Sequence, residues 1–336
     1  MPQREQVSIA LAMMEGMAGY ALRPHHLEQL AGIGNLIDPE PLTELTGPRA
    51  AAVLGEADVL VGHWGCPTLT AEVLGLAPRL ALFAYGAGTV KWQVTDAVWD
   101  RGIVVTSAAA ANAVPVAEFT VAAILFANKG VPWLAARERD PSLEVRLDPT
   151  RLGNLGRRIG LVGASHVGRH TIALLGSYDL ELAVADPYLD AAEAERLGVA
   201  RMELDELCAW CDVLSLHAPD VPATRHMIGA RQLAALRDGA TLVNTARGAL
   251  VDHDALLAEL RTGRIFAVLD VTDPEPLPGD SPLRTLPNVL LTPHLAGATG
   301  DEVVRLTDLA VEEVRRFAAG EPPLHPVRRE DLDRLA

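Results

Sequence analysis

Short apolar runs alternate with longer amphipathic stretches along most of the chain. This pattern sets parallel strands between crossover helices. Over the first 110 residues it predicts strands near 7–13, 58–61, 80–83 and 103–105, with helices over 24–30, 48–54, 70–74 and 95–101. Residues 114–128 are almost wholly apolar, as expected of a long buried helix. Residues 137–151 are charged and carry two prolines, so they read as an exposed connection.

A second alternation begins at Arg158. Strands are predicted at 159–162, 182–185, 213–216, 241–243, 266–269 and 289–291, and helices at 167–175, 191–197, 230–235 and 253–261. Six strands in that order meet the requirement of a dinucleotide-binding doubly wound sheet. The segment 302–319 is amphipathic, with Val303, Leu306, Leu309, Val311, Val314 and Phe317 roughly on one face. It is expected to return to the first domain.

At 336 residues the chain exceeds the size at which one core keeps growing, so two domains are the default. Apolar content of 49% with 22% charged residues is that of a globular protein. The net charge of −15 disfavours a general binder of nucleic acid or anionic membrane. It leaves room for an anionic substrate, because one local arginine can override the mean field. Cys66, Cys208 and Cys211 form no disulfide framework in a chain this long, which fits a reducing, cytoplasmic setting. Cys208-Ala-Trp-Cys211 has metal or redox spacing but lacks a second pair, so both read as buried thiols and no metal is expected. The run 7–14 is short and reads as a strand rather than a leader, and no segment is expected to approach a membrane span.

Candidate chemistry starts at Ile159-Gly-Leu-Val-Gly163-Ala-Ser165-His-Val-Gly168, which follows a strand and opens a helix. Such a turn presents backbone N–H groups and a helix N-terminus to a pyrophosphate. Ser165 stands where the usual fingerprint has its middle glycine, so its hydroxymethyl group must point away or donate to phosphate. Asp186 ends the next strand, where a carboxylate accepts from the ribose hydroxyls and repels a 2′-phosphate. No arginine or lysine follows it before Arg196, so NAD is expected over NADP. Further on, Arg247, Glu275 and His294 appear in order. A fixed cation can hold a carboxylate and polarise a neighbouring carbonyl. A histidine can exchange a proton near neutral pH while a carboxylate orients it. Singly each reads as a surface cation, a solvated glutamate and a buried histidine; together they read as a catalytic set.

The stretches Leu216-His-Ala-Pro219, Leu242-Val-Asn-Thr-Ala-Arg247-Gly, Asp270-Val-Thr-Asp-Pro-Glu275-Pro and Thr292-Pro-His294-Leu-Ala-Gly-Ala298 carry a resemblance. With them the chain resembles the D-isomer-specific 2-hydroxyacid dehydrogenase family over nearly its whole length. The resemblance implies an α/β fold of two domains with the active site in the cleft between them. One is a Rossmann-type NAD-binding domain over 113–299; the other is a smaller flavodoxin-like substrate domain over 1–112 and 300–336. It implies that Arg247 binds the substrate, that His294 is the acid/base and that Glu275 is its partner. NAD would lie against Thr120, Gly163, Ser165, His166, Val167, Gly168, Asp186, His217, Ala218, Pro219, Thr224, Thr245, Ala246, Asp270, His294 and Gly297. Backbone N–H groups of Tyr85, Gly86 and Ala87 would hold the substrate carboxylate. It further implies a homodimer formed through the NAD-binding domain around 114–126 and the connection after it.

Three departures from the family pattern stand out. Besides Ser165, Lys91 falls near a usual aspartate, and 263–270 is one residue short, so the strand before Asp270 is expected to be bulged or shifted. The activity expected is interconversion of a 2-keto acid and a D-2-hydroxy acid. Phosphite- or formate-type chemistry on the same fold, or a non-catalytic NAD-sensing protein, are the alternatives. Glutamate at 275 disfavours the formate type, where glutamine is expected, and an intact trio disfavours a sensor.

Overall fold

A computed structural model describes residues 6–332. In chain order its strands are β1 (Ser8–Ala12), β2 (Asn35–Leu36), β3 (Val59–Gly62), β4 (Leu82–Tyr85), β5 (Val104–Ser107), β6 (Arg157–Val162) and β7 (Leu180–Ala185). They continue with β8 (Ala200–Arg201), β9 (Val213–Leu216), β10 (Thr241–Asn244), β11 (Phe266–Leu269), β12 (Val289–Leu291) and β13 (Pro326–Val327). The chain divides into two compact units, one made of residues up to Asn112 and from Ala298, the other of Ala113–Gly297.

In the first unit the sheet order is β13-β5-β4-β3-β1-β2, parallel except for β13. Without β13 this is the 2-1-3-4-5 order of flavodoxin-like folds. β1, β3 and β4 are buried on both faces, which is why they read as continuous apolar runs rather than alternating ones. The C-terminal helix Val303–Ala319 covers one face, with Ala310, Val311 and Val314 packed on Ile9, Leu11 and Val61. Its Glu313 is buried, yet its carboxylate accepts the N–H groups of Leu324 and His325 at 3.0 and 2.7 Å. That pair of bonds ties the helix to the turn leading into β13.

In the second unit seven parallel strands run in the order β12-β11-β10-β9-β6-β7-β8. This is the 3-2-1-4-5-6 order of a dinucleotide-binding sheet with one strand added. The sequence pattern yields six strands because β8 is two exposed residues long and has no apolar signature. The expected irregularity before Asp270 is overturned. β11 pairs with β10 from Thr241↔Phe266 to Asn244↔Leu269 and with β12 beyond, without a bulge. The turn before the strand is made at Gly263, whose φ is +72°.

The apolar segment forms a helix from Ala109 to Asn128, five residues longer at its start than the sequence suggests. By length and composition alone it is sufficient to cross a membrane, which corrects the expectation that no segment approaches a span. Val121 and Ile124 belong to the second unit's core, where Trp133 stacks on Phe266 at 5.0 Å. Trp133 itself lies in the helix Val131–Arg139, so the charged connection starts three residues later than its composition implies. Cys208 and Cys211 are buried in the core beside Leu207 and Leu214, and burial raises both thiols, Cys208 to about 12.

Candidate active site

The candidate residues of the second unit converge because they follow the carboxyl ends of β6, β7, β9, β10, β11 and β12, the edge where parallel α/β sheets bind ligands. After β6, Gly163 has φ +99°, and a Cβ there would lie 2.9 Å from the amide of Ala218. The turn therefore runs flush against 217–218, and the backbone edge of His217, Ala218 and Pro219 is brought to the phosphate loop. At Gly168 a Cβ would collide with the carbonyl of Gly163, which seats the helix His166–Leu175 directly behind the turn. Ser165 needs no glycine geometry. Its φ is −66° and its hydroxyl accepts the Gly168 N–H at 3.4 Å as the helix N-cap, leaving its own proton for an acceptor in front. His166 is exposed and Val167 half-buried in the first turn. This cradle suits a pyrophosphate, because the one side chain replacing glycine is turned into the helix cap.

Asp186, after β7, is more constrained than a ribose acceptor needs to be. Its carboxylate accepts the N–H of Ala164 at 2.6 Å and of Tyr188 at 2.7 Å, so it is anchored to the phosphate loop. Two oxygens offer about four lone-pair sites, which leaves capacity for two ribose hydroxyls. Thr224 spends its hydroxyl on the Pro219 carbonyl at 2.5 Å and also accepts the Val221 N–H, so it shapes the 217–224 loop. His217 is buried and bonds Ser215 through Nε2 at 2.9 Å. Burial lowers its pKa to about 3, so it is a neutral packing group.

After β10 the turn that carries Arg247 is clamped by Asn244, whose side chain accepts from the Ala246 N–H and donates to the Arg247 carbonyl at 2.9 Å. Thr245 meets Thr120 at 2.7 Å in a buried contact, and Thr120 also donates to the Val116 carbonyl. The Thr120 proton is thereby spent, so Thr245 is the donor of that pair. Arg247 bonds the Ala246 carbonyl at 2.6 Å. Burial lowers its pKa, opposed by the charges of Asp220 and Glu275, and it remains a cation. At the next residue, Gly248, a Cβ would overlap the Thr272 peptide. That close approach presses the segment bearing Glu275 onto the arginine turn.

Asp270 is almost fully buried, and its carboxylate is occupied by its own chain. It accepts the Thr292 hydroxyl at 2.6 Å and the N–H groups of Leu295 and Ala296 at 2.9 Å each. Its carbonyl accepts the His294 N–H at 3.0 Å. Four bonds thus hold the loop in which His294 adopts φ +54°. Any nicotinamide contact falls to the one lone pair left, and holding this loop is a role the sequence did not reveal. His294 Nδ1 lies 2.5 Å from Glu275 Oε1, with both side chains about half exposed. Since carboxylates only accept, Nδ1 donates and Nε2 is left to carry or take a proton.

In the first unit Tyr85 is a buried strand residue whose ring packs near Phe83. The expected carboxylate grip is corrected at Gly86, whose N–H is committed to the Gly62 carbonyl at 2.8 Å. Parallel pairing of β3 with β4 imposes this bond. Among the described residues the N–H groups of Ala87 and Gly88 make no such bond. A further cluster, His25, His26 and Asp308, gathers three possible metal ligands. His26 Nδ1 accepts the Arg23 N–H at 3.0 Å, so the neutral ring carries its proton on Nε2 and donates it to Asp308 at 2.9 Å. A metal there would require an imidazolate.

The D-isomer specific 2-hydroxyacid dehydrogenase NAD binding domain matches residues 121–296. D-3-phosphoglycerate dehydrogenase of Methanocaldococcus jannaschii is 30% identical over 308 residues, 89% of this chain and 57% of that protein. The chain thus spans about half the length of the phosphoglycerate dehydrogenases it matches. Glyoxylate reductase of Korarchaeum cryptofilum is 33% identical over 280 residues, 82% of this chain and 84% of that one. The crystal structure of the TT0316 protein from Thermus thermophilus superposes with a TM-score of 0.74 at 30% identity, covering 96% of this chain and all of the other. With seven parallel strands in dinucleotide-binding order and the matched NAD-binding domain, the chain belongs to the D-isomer specific 2-hydroxyacid dehydrogenase family.

Proposed function

We propose that the protein is an NAD-dependent oxidoreductase that interconverts a 2-keto acid and a D-2-hydroxy acid. The observation that carries this reading is the 2.5 Å His294–Glu275 hydrogen bond with the Arg247 cation beside the same glutamate. Held by the Gly163 loop and Asp186, NADH would supply a hydride for the carbonyl carbon. His294, held through Nδ1, gives the proton on Nε2 to the carbonyl oxygen, and Arg247 balances negative charge developing there. In the oxidative direction His294 takes that proton back. Arg247 also holds the substrate carboxylate.

Asp186, with its carboxylate fixed by two N–H groups, supports NAD over NADP, because a rigid anion cannot swing away from a 2′-phosphate. A homodimer through the NAD-binding domain is part of the same proposal, supported by Phe126, which is 57% exposed on the long apolar helix. Three free buried thiols support a cytoplasmic setting as part of the same proposal. The test is a panel of 2-keto acids assayed with NADH and with NADPH. Turnover of at least one acid, faster with NADH and abolished in His294→Asn, is expected. No turnover of any acid, or equal rates with NADPH, would count against the activity or the cofactor choice respectively.

A further inference from the structure

His63 follows β3 directly, at the carboxyl edge of the first sheet and next to the turn after β4. The register pairs Gly62 with Tyr85, so His63 and Gly86 are neighbours. A Cβ built on Gly86 would lie 2.9 Å from His63 Cδ2 and 3.5 Å from Nε2, which locates the ring edge against that turn. The tautomer is fixed by a local bond: His63 Nδ1 accepts the Trp64 N–H at 2.9 Å. The proton of the neutral ring is therefore on Nε2. The side chain is 2% exposed, and Nε2 has no hydrogen-bond partner among the described residues. Burial lowers the pKa to about 4, so the ring is a neutral donor across the physiological range.

A buried donor without an acceptor costs about 1–3 kcal/mol, so its retention calls for an acceptor supplied by something other than the protein. Trp64 explains why Nδ1 is unprotonated, but nothing explains Nε2. Among the described residues, two more N–H groups of the adjacent turn, those of Ala87 and Gly88, have no backbone acceptor. Three donors after two neighbouring strands, at one edge of the sheet, match a group with several lone pairs, and a carboxylate is such a group.

We propose that the His63 Nε2–H donates to the carboxylate of the 2-keto acid, together with the backbone N–H of Ala87. This rests on the function proposed above, and it makes His63 a substrate-binding residue that contributes affinity without proton transfer.

The test compares His63→Asn with His63→Gln. An asparagine oxygen takes the place of Nδ1 and keeps the Trp64 contact but has nothing at Nε2. A glutamine amide reaches the Nε2 position. Oxamate, an unreactive keto-acid analogue, is titrated into the protein saturated with NADH, and KM and kcat are measured separately on the best acid. His63→Asn is expected to bind oxamate about 10-fold or more weakly and to raise KM comparably, with kcat within about threefold and NADH affinity unchanged. His63→Gln is expected to recover most of the loss. Equal affinities in wild type and both variants would overturn the proposal. So would an equal loss in both, which would mark His63 as packing only, and so would failure of the wild type to bind oxamate. Oxamate binding that depends on His63 in a protein that reduces no keto acid would keep this inference and sink the activity instead.

Discussion

Arg247 shows how much of the reading depends on shape rather than charge. A guanidinium grips a planar carboxylate through two parallel bonds, while an ammonium is a point charge. Arg247→Lys is expected to lower kcat/KM by about 2–4 kcal/mol, by analogy with removing one positioned donor from a developing oxyanion. NADH affinity, measured by fluorescence titration, should hardly change, because the loop at Gly163 and Asp186 are held by separate bonds. The two buried histidines make a second prediction. His63 and His217 have folded pKa values near 4 and 3, below the 6.5 of the unfolded chain. As pH falls from 6.5 toward 4 the unfolded state takes up protons that the native state refuses, so stability is full above 6.5 and declines through that window. His63 accounts for about 3 kcal/mol over the whole window and about 2 kcal/mol between pH 6.5 and 5. Urea unfolding at those two pH values should show His63→Gln losing about 2 kcal/mol less than the wild type. Identical losses would mean that His63 is not buried neutral.

At the scale of elements, the candidate site is an assembly of short turns, each closed by a side chain that does no chemistry. Asn244 closes the Arg247 turn, Thr224 the 217–224 loop and Asp270 the His294 loop. Gly248 is the point where two of these turns press together. Gly248→Ala would force the Thr272 peptide away and carry Glu275 with it. Displacement of a catalytic group by about 1 Å costs on the order of 100-fold in rate. Loss of that order in kcat, with the protein still folded by circular dichroism, is the expected result; unchanged kcat would show that the turn can yield without moving Glu275. The signal was present in the sequence as Arg247-Gly248, but nothing local says what the missing side chain makes room for. The loop-holding role of Asp270 is hidden in the sequence for the same reason: the three groups that donate to its carboxylate, on Thr292, Leu295 and Ala296, lie more than 20 positions away.

At the scale of the molecule, each unit has its own sheet and its own cores, so each can respond to substitution separately. Assembly is the prediction that belongs here. The helix Ala109–Asn128 leaves Glu118, Ala122 and Phe126 exposed at i, i+4 spacing. If this stripe is a dimer face, sedimentation should give a mass near twice the 35.8 kDa of one chain, and Phe126→Glu should shift it to the monomer. A single 35.8 kDa species of the wild type at micromolar concentration would refute the homodimer.

The sequence by itself determined the fold class and the identity of the chemical groups. Buried parallel strands need apolar runs, a phosphate loop needs glycine, and acid–base chemistry needs histidine with a carboxylate, and these demands are written locally. Long strands such as β6, β9 and β11 were legible for that reason, while the two-residue β8 and β13 were not, because pairing alone makes them strands. The tertiary structure decided which donors are free. Gly86 and Ala87 look equivalent in sequence, yet parallel pairing with β3 commits one N–H to the Gly62 carbonyl and leaves the other without such a bond. Likewise His63, His217 and His294 are the same residue type in the sequence. Burial makes the first two neutral, while a carboxylate 19 positions away orients the third. Hydrogen-bond availability and desolvation depend on neighbours distant in the chain, and only the folded arrangement supplies those neighbours.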